Sequence, residues 1–128
     1  MIVEDEVALA LELDELLTEN GYAVTAVAHT ADEAIELAQE RHPTLALMDI
    51  RLPGDVDGID VACQIRDTLN IPSLFLTGYS DDHLIQRATQ VHPLGYILKP
   101  VNENQILTLI EWALQTIAGN HASESLGH

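Results

Sequence analysis

Hydrophobic and polar positions along this chain alternate between short apolar runs and longer stretches with helical spacing. Residues 1–3 form a very short strand candidate. Residues 6–20 carry Leu9, Leu13, Leu16 and Leu17 on one helical face and run into Gly21, which can take the left-handed backbone that ends a helix. Residues 22–28 read as a strand, with Val24 and Val27 among their apolar positions. The run Thr30-Ala31-Asp32-Glu33 has the capping-box pattern and opens a helix that closes near His42-Pro43. Residues 45–49 are an apolar run ending on an acid, and residues 50–57, with Pro53, Gly54 and two acids, read as loop. Residues 58–69 are helical, residues 71–77 form a strand entered through Pro72, residues 80–90 are helical and residues 95–98 form a strand. The last helix spans residues 102–118, with Ile106, Ile110, Ala113, Leu114 and Ile117 as its apolar stripe. Residues 119–128 read as a polar tail or linker, which leaves residues 1–118 as one domain.

Five strands alternating with five helices predict a single α/β domain with a parallel sheet and helices on both faces. Crossovers between parallel strands are right-handed, and sites in such sheets sit beyond the carboxyl ends of the strands. The strand-terminal residues therefore carry the information. They are Glu4 and Asp5, Ala28 and His29, Asp49, Thr77 and Lys99.

Composition narrows the functional classes. Five Lys and Arg against 21 Asp and Glu give a net charge of −16, which disfavours direct binding to nucleic acid or to an anionic membrane surface. With 47% hydrophobic residues the chain can build a core. A single cysteine excludes an internal disulfide and fits a reducing cytoplasm, and no apolar run reaches the ~18–20 residues of a membrane span. No charged-then-apolar leader opens the sequence, so a cytoplasmic location is expected. The six histidines share no ligand spacing that would suit zinc, and Cys63 beside Ala62 reads as a small buried hydrophobe.

Acids after the first strand, an acid ending the third, a hydroxyl ending the fourth and the chain's only lysine after the fifth would meet at one sheet edge. Clustered carboxylates repel unless they are protonated or bridged by a cation, and an open oxygen-rich site suits Mg²⁺. Mg²⁺ beside Lys99 and Thr77 would suit a phosphoryl group, with Asp49 as the nucleophile of an aspartyl-phosphate. Each residue also has an ordinary reading. Glu4, Asp5 and Glu6 could serve the dipole of the first helix, Asp49 could cap a loop, and Thr77 could be a plain strand residue.

The segments Val3-Glu4-Asp5-Glu6, Met48-Asp49, Pro53 with Asp57-Gly58, Leu76-Thr77-Gly78 and Gly95-Tyr96-Ile97-Leu98-Lys99-Pro100 occur in an order that resembles the receiver domain of two-component response regulators. The resemblance covers residues 1–118 and implies a flavodoxin-like doubly wound sheet of order 2-1-3-4-5. It implies that Asp49 takes a phosphoryl group from a histidine kinase or phosphotransfer protein. Asp5 and Asp49 would then bind Mg²⁺ directly, Glu4 through water, and the main-chain carbonyl of Arg51 would complete the protein ligands. Thr77 and Lys99 would contact phosphoryl oxygens, Tyr96 would be the aromatic switch, and the Lys99–Pro100 bond would be cis. Arg51 and Tyr79 fall at the positions that flank the path of hydrolytic water, where their bulk would lengthen the phosphorylated lifetime.

The same resemblance gives meaning to apolar residues off the core stripes. Val7 and Leu11 on the first helix would be a kinase-docking patch, against the plainer reading of extra packing. Leu109 and Trp112 on the last helix are candidates for a homodimer surface through helices 4 and 5, against half-buried core. Three features depart from the usual pattern. The first strand has only three residues before Glu4, where receivers usually show a longer one, three residues separate Pro53 from Asp57, and His92-Pro93 precedes Leu94-Gly95. Two other classes compete. A haloacid-dehalogenase-like phosphatase would carry its nucleophile after the first strand, and a flavodoxin-like cofactor carrier would need a phosphate loop where Glu4-Asp5-Glu6 would repel phosphate.

Overall fold

The computed structural model describes residues 1–127, with side chains described for residues 1–119. The elements follow in order as β1 (Ile2–Val3), α1 (Val7–Glu19), β2 (Val27–Ala28), α2 (Ala31–Arg41), β3 (Ala46–Asp49), α3 (Gly58–Leu69), β4 (Ser73–Thr77), a 3₁₀ turn (Tyr79–Asp81), α4 (Asp82–Thr89), β5 (Gly95–Leu98) and α5 (Glu103–Gly127). All strand pairs are parallel and the sheet order is β2-β1-β3-β4-β5, the order the resemblance implied.

The period-2 alternation of strand side chains divides the apolar residues into two cores. Ile2, Leu47, Leu74, Leu76 and Ile97 face α1 and α5, where they meet Ala10, Leu13, Ile106, Ile110 and Ala113. Val3, Ala46, Met48 and Phe75 face the other way, onto alanines of α2, Ile59, Ala62 and Ile65 of α3, and Ala88 of α4. Each large aliphatic side chain buried this way contributes about 1.5–3 kcal/mol.

Helix ends follow local chemistry. Gly21 closes α1 at φ +87°, with Tyr22 N–H donating to Leu17 O and Gly21 N–H to Thr18 O, the paired bonds of a Schellman stop. Thr30 Oγ1 accepts from Glu33 N–H, as the capping pattern requires, but the Glu33 carboxylate reaches back to His29 N–H. Asn102 caps α5 by accepting from Gln105 N–H.

Three expected boundaries shift. The strand read at residues 22–28 shrinks to Val27–Ala28, because β1 offers only Ile2 and Val3 for pairing. Tyr22 and Val24 still pack into the core, so their pattern reported burial and not pairing. The helix read at residues 80–90 splits, because the Asp81 carboxylate accepts Gly78 N–H and folds Tyr79–Asp81 as a tight turn before α4. The segment read as a polar tail after Ala118 continues as helix through Gly127. It contains no proline to break the ladder, and Gly119 does not take the positive φ of a stop.

One close approach sets the position of α3. A Cβ on Gly58 would lie 1.7 Å from the carbonyl oxygen of Asp49, so the first turn of α3 rests on the backbone of the β3 terminus. Gly58→Ala should cost about 2 kcal/mol or more, since neither backbone can yield as a side chain would. Urea denaturation reads the loss. An unchanged midpoint would mean that α3 can withdraw from Asp49 freely.

Candidate functional site

Parallel strands bring every carboxyl end to one edge, and the predicted residues converge there. Oxygen atoms of Glu4, Asp5 and Asp49 all lie within 4.8 Å of one another. Glu4 is fully buried and Asp49 nearly so, whereas Asp5 is exposed. Lys99 Nζ lies 2.5 Å from Glu4 Oε1 and 3.2 Å from Asp49 Oδ2. Backbone amides supply further donors: Glu6 N–H to Glu4 Oε2 at 3.0 Å and Arg51 N–H to Asp49 Oδ1 at 3.0 Å. The carbonyl of Glu4 accepts from the His29 ring, which carries its proton on Nδ1 for that purpose. The Lys99–Pro100 peptide is cis.

Burial, and then Glu4 beside it, push the Asp49 carboxyl up to about 8. Burial would also raise Glu4, but hydrogen bonds from the Asp49 carboxyl, the Lys99 ammonium and Glu6 N–H hold it below the usual range. Burial would lower Lys99, and its contacts with Glu4 and Asp49 reverse this. The Lys99 ammonium and the raised Asp49 carboxyl together ease the crowding of acids at this edge. An all-oxygen set of this density fits a small divalent cation such as Mg²⁺.

A polar cleft of about 620 Å³ opens over Asp49, lined also by Asp5, Arg51, Asp57, Asp81 and Lys99. Thr77 ends β4 as expected and is buried, but it is not in the cleft wall. The Tyr96 ring stacks on Phe75 with centroids 6.1 Å apart, and its hydroxyl pairs with Thr89 Oγ1 at 2.8 Å. Because Thr89 Oγ1 gives its proton to Ile85 O, Tyr96 is the donor. The side chain proposed as a switch is thus tied to α4.

Three ion pairs at the rim, made by Arg51 and Arg87, were not anticipated. The Arg51 guanidinium leans across to the loop after β4, where Nε pairs with Asp81 and Nη2 donates to Ser80 O at 3.1 Å. Asp81, which reads in sequence as a plain helix-start acid, is only 4% exposed. Arg87 of α4 grips both Asp57 Oδ2 and Asp60 Oδ1 at 2.7 Å, on top of the reciprocal cap these two acids form at the start of α3. One signal could have found them. The chain has five cationic Lys and Arg, and Arg51, Arg87 and Lys99 all serve this edge.

Of the remaining candidates, Val7 and Leu11 are 64% and 56% exposed on α1. Tyr79 is 75% exposed. Trp112 is half exposed, while Leu109 packs partly into the α1–α5 core, with both its Cδ atoms 3.3 Å from where a Gly95 Cβ would sit. Cys63 is partly buried at the edge of the opposite core, with Sγ directed at Asp67.

The family model of the response regulator receiver domain matches residues 1–111. The chain belongs to this receiver family. The receiver is 35% identical over 114 residues to the transcriptional regulatory protein PdtaR of Mycobacterium tuberculosis, a match covering 89% of this chain and 55% of that protein. It is 32% identical over 115 residues to the phyllosphere-induced regulator PhyR of Methylorubrum extorquens, covering 89% of this chain and 42% of that one. The chain thus spans about half the length of the curated relatives it matches. Among solved structures, the signal receiver domain of a modulated diguanylate cyclase from Desulfovibrio desulfuricans superposes with a TM-score of 0.86 at 35% identity, over 93% of this chain and 94% of that one. A CheY-like response regulator receiver domain protein from Methanospirillum hungatei superposes with a TM-score of 0.85 at 28% identity, over 93% of this chain and 94% of that one. The matched region is the receiver module of response regulators, and nothing in these comparisons supports the hydrolase reading. No helix among the described residues is long and apolar enough to cross a membrane.

The Arg87 clamp has a pH signature. Burial would raise the Asp57 carboxyl, but Arg87 and the Asp60 N–H hold it below its ordinary 3.8. A depressed carboxyl adds stability above pH 3.8 and loses it as the pH falls through the folded value. Arg87→Ala should therefore cost roughly 0.5–1 kcal/mol near neutrality, the screened worth of an exposed pair. Parent and variant should converge below pH 3.8 in urea titrations. A gap that persists there would show that Arg87 acts by packing alone.

Proposed function

We propose that Asp49 is the phosphoacceptor of this receiver and that residues 1–118 are its switching unit, with residues 119–128 as linker. The observation carrying this reading is the meeting of Glu4, Asp5 and Asp49 within 4.8 Å, with Lys99 Nζ 3.2 Å from Asp49 Oδ2. A carboxylate oxygen of Asp49 attacks phosphorus in line, and the bond to the donor's histidine nitrogen breaks with its electrons leaving on that nitrogen. Bound Mg²⁺ would neutralise the phosphoryl oxygens. Its protein ligands would be Asp5, Asp49 and the Arg51 carbonyl, with Glu4 acting through water. Lys99 then exchanges its carboxylate partner for a phosphoryl oxygen, Thr77 donates its hydroxyl to another, and Tyr96 leaves Thr89 to turn inward.

The donor is a histidine kinase or a phosphotransfer protein, and Val7 and Leu11 are its docking contacts. Trp112, with Leu109 beside it, is the candidate homodimer surface through α4 and α5. Arg51 and Tyr79 govern the lifetime of the phosphorylated state. Tyr79 must fold back from solvent to shield Asp49, and Arg51 must first leave Asp81.

Incubation with acetyl phosphate and Mg²⁺ should label the parent once per chain. Labelling should vanish in Asp49→Asn, which keeps the shape and removes the anionic nucleophile, and it should vanish with excess chelator. Continuous release of phosphate from substrate esters would mean a hydrolase instead. Val7→Glu or Leu11→Glu should slow transfer from a phosphorylated kinase roughly tenfold, the scale of a lost interface anchor. Acetyl phosphate labelling of these variants should match the parent, and equal loss of both activities would place the two residues in the fold and not in docking.

A further inference from the structure

Arg51 is held at both ends by groups of the same cleft. Its N–H donates to Asp49 Oδ1, which fixes the start of the side chain at the nucleophile. Its guanidinium rests on Asp81 and on the carbonyl of Ser80, in the loop that follows Thr77. Asp81 makes no cap bond to α4. One of its oxygens accepts Gly78 N–H at 2.7 Å and the other takes Arg51 Nε. Burial alone would raise this carboxyl, but the Gly78 N–H and then the Arg51 guanidinium hold it below the ordinary range. Asp81 is thus a buried, fixed acid whose cationic side-chain partner among the described residues is Arg51, two residues beyond Asp49.

A phosphoryl group on Asp49 replaces the single carboxylate charge with roughly two negative charges and offers oxygens that match a guanidinium fork. Beside Lys99, the phosphoryl group and Asp81 then compete for the Arg51 guanidinium. The Asp81 side chain is 6% exposed and tied to Gly78, so it stays, whereas the Arg51 side chain is 52% exposed and can swing about a backbone already anchored at Asp49.

Resting on the phosphoacceptor reading above, we propose that Asp81 is a positioning residue that withholds the Arg51 guanidinium from Asp49 in the resting receiver and surrenders it to the phosphoryl group. The transfer leaves Asp81 with only the Gly78 amide, so the turn next to Thr77 loosens in the same event that charges the site. Asp81 thereby sets how readily the site accepts a phosphoryl-like anion, while Arg51 does the binding.

Beryllofluoride with Mg²⁺, a mimic of an acyl phosphate, tests this on the whole chain. Asp81→Asn keeps a carbonyl oxygen for Gly78 N–H but removes the competing charge. It should tighten beryllofluoride binding roughly two- to fivefold, the range of a screened ion pair. The same change made in an Arg51→Gln background should do nothing. In the parent, the Arg51 Nε–H resonance should move on saturation with beryllofluoride. Equal affinity in parent and Asp81→Asn, an equal shift in the Arg51→Gln background, or an Nε–H resonance that stays in place overturns the proposal while leaving the phosphoacceptor reading intact. A parent that takes no beryllofluoride overturns that reading and this proposal together.

Discussion

The buried contact of Glu4, Lys99 and Asp49 is the constraint on which the rest of this structure turns. Two carboxylates out of water beside each other are unfavourable, and one ammonium does not balance three acids. Burial and the neighbouring Glu4 push the Asp49 carboxyl up to about 8, and backbone amides donate to the remaining oxygens.

Backbone geometry keeps that site in register. The absence of a side chain at Gly58 lets the start of α3 press on the carbonyl of Asp49, and His29 holds the carbonyl of Glu4 from the adjacent loop. Around this fixed centre the cations are shared out sparingly. Arg87 joins α4 to the first turn of α3, and Arg51 joins the loop after Asp49 to the loop after Thr77. In a chain so acidic, each such link also relieves local repulsion, so moving one changes the balance at its neighbours.

The connection from site to surface runs through α4. Tyr96 lies across Phe75 and gives its proton to Thr89, so the aromatic ring and the helix share one hydrogen bond. The exposed apolar residues divide between two regions. Val7 and Leu11 lie on α1, which starts just after Asp5, and Trp112 lies on α5, the helix that follows β5. The two regions are separate in sequence, one following β1 and the other β5.

The alternation of apolar runs, the Gly21 stop, the Thr30 cap and the strand-terminal Glu4, Asp5, Asp49, Thr77 and Lys99 were legible in the sequence, because each depends on local periodicity or on a parallel sheet ending at one edge. Pairing was not legible. Tyr22 and Val24 show strand-like burial but have no ladder, since hydrogen bonding depends on a partner strand that ends after two residues. The helix past Ala118 escaped notice because polar residues after a glycine look the same in a helix and in a tail. Asp81, Arg87 and Thr89 gained their roles only when loops distant in sequence met in space, where Arg51, Asp57, Asp60 and Tyr96 are their partners. Local sequence determined which residues end the strands, and tertiary structure decided which of the scarce cations each buried acid would hold, because ion pairing is set by distance in space and not by spacing along the chain.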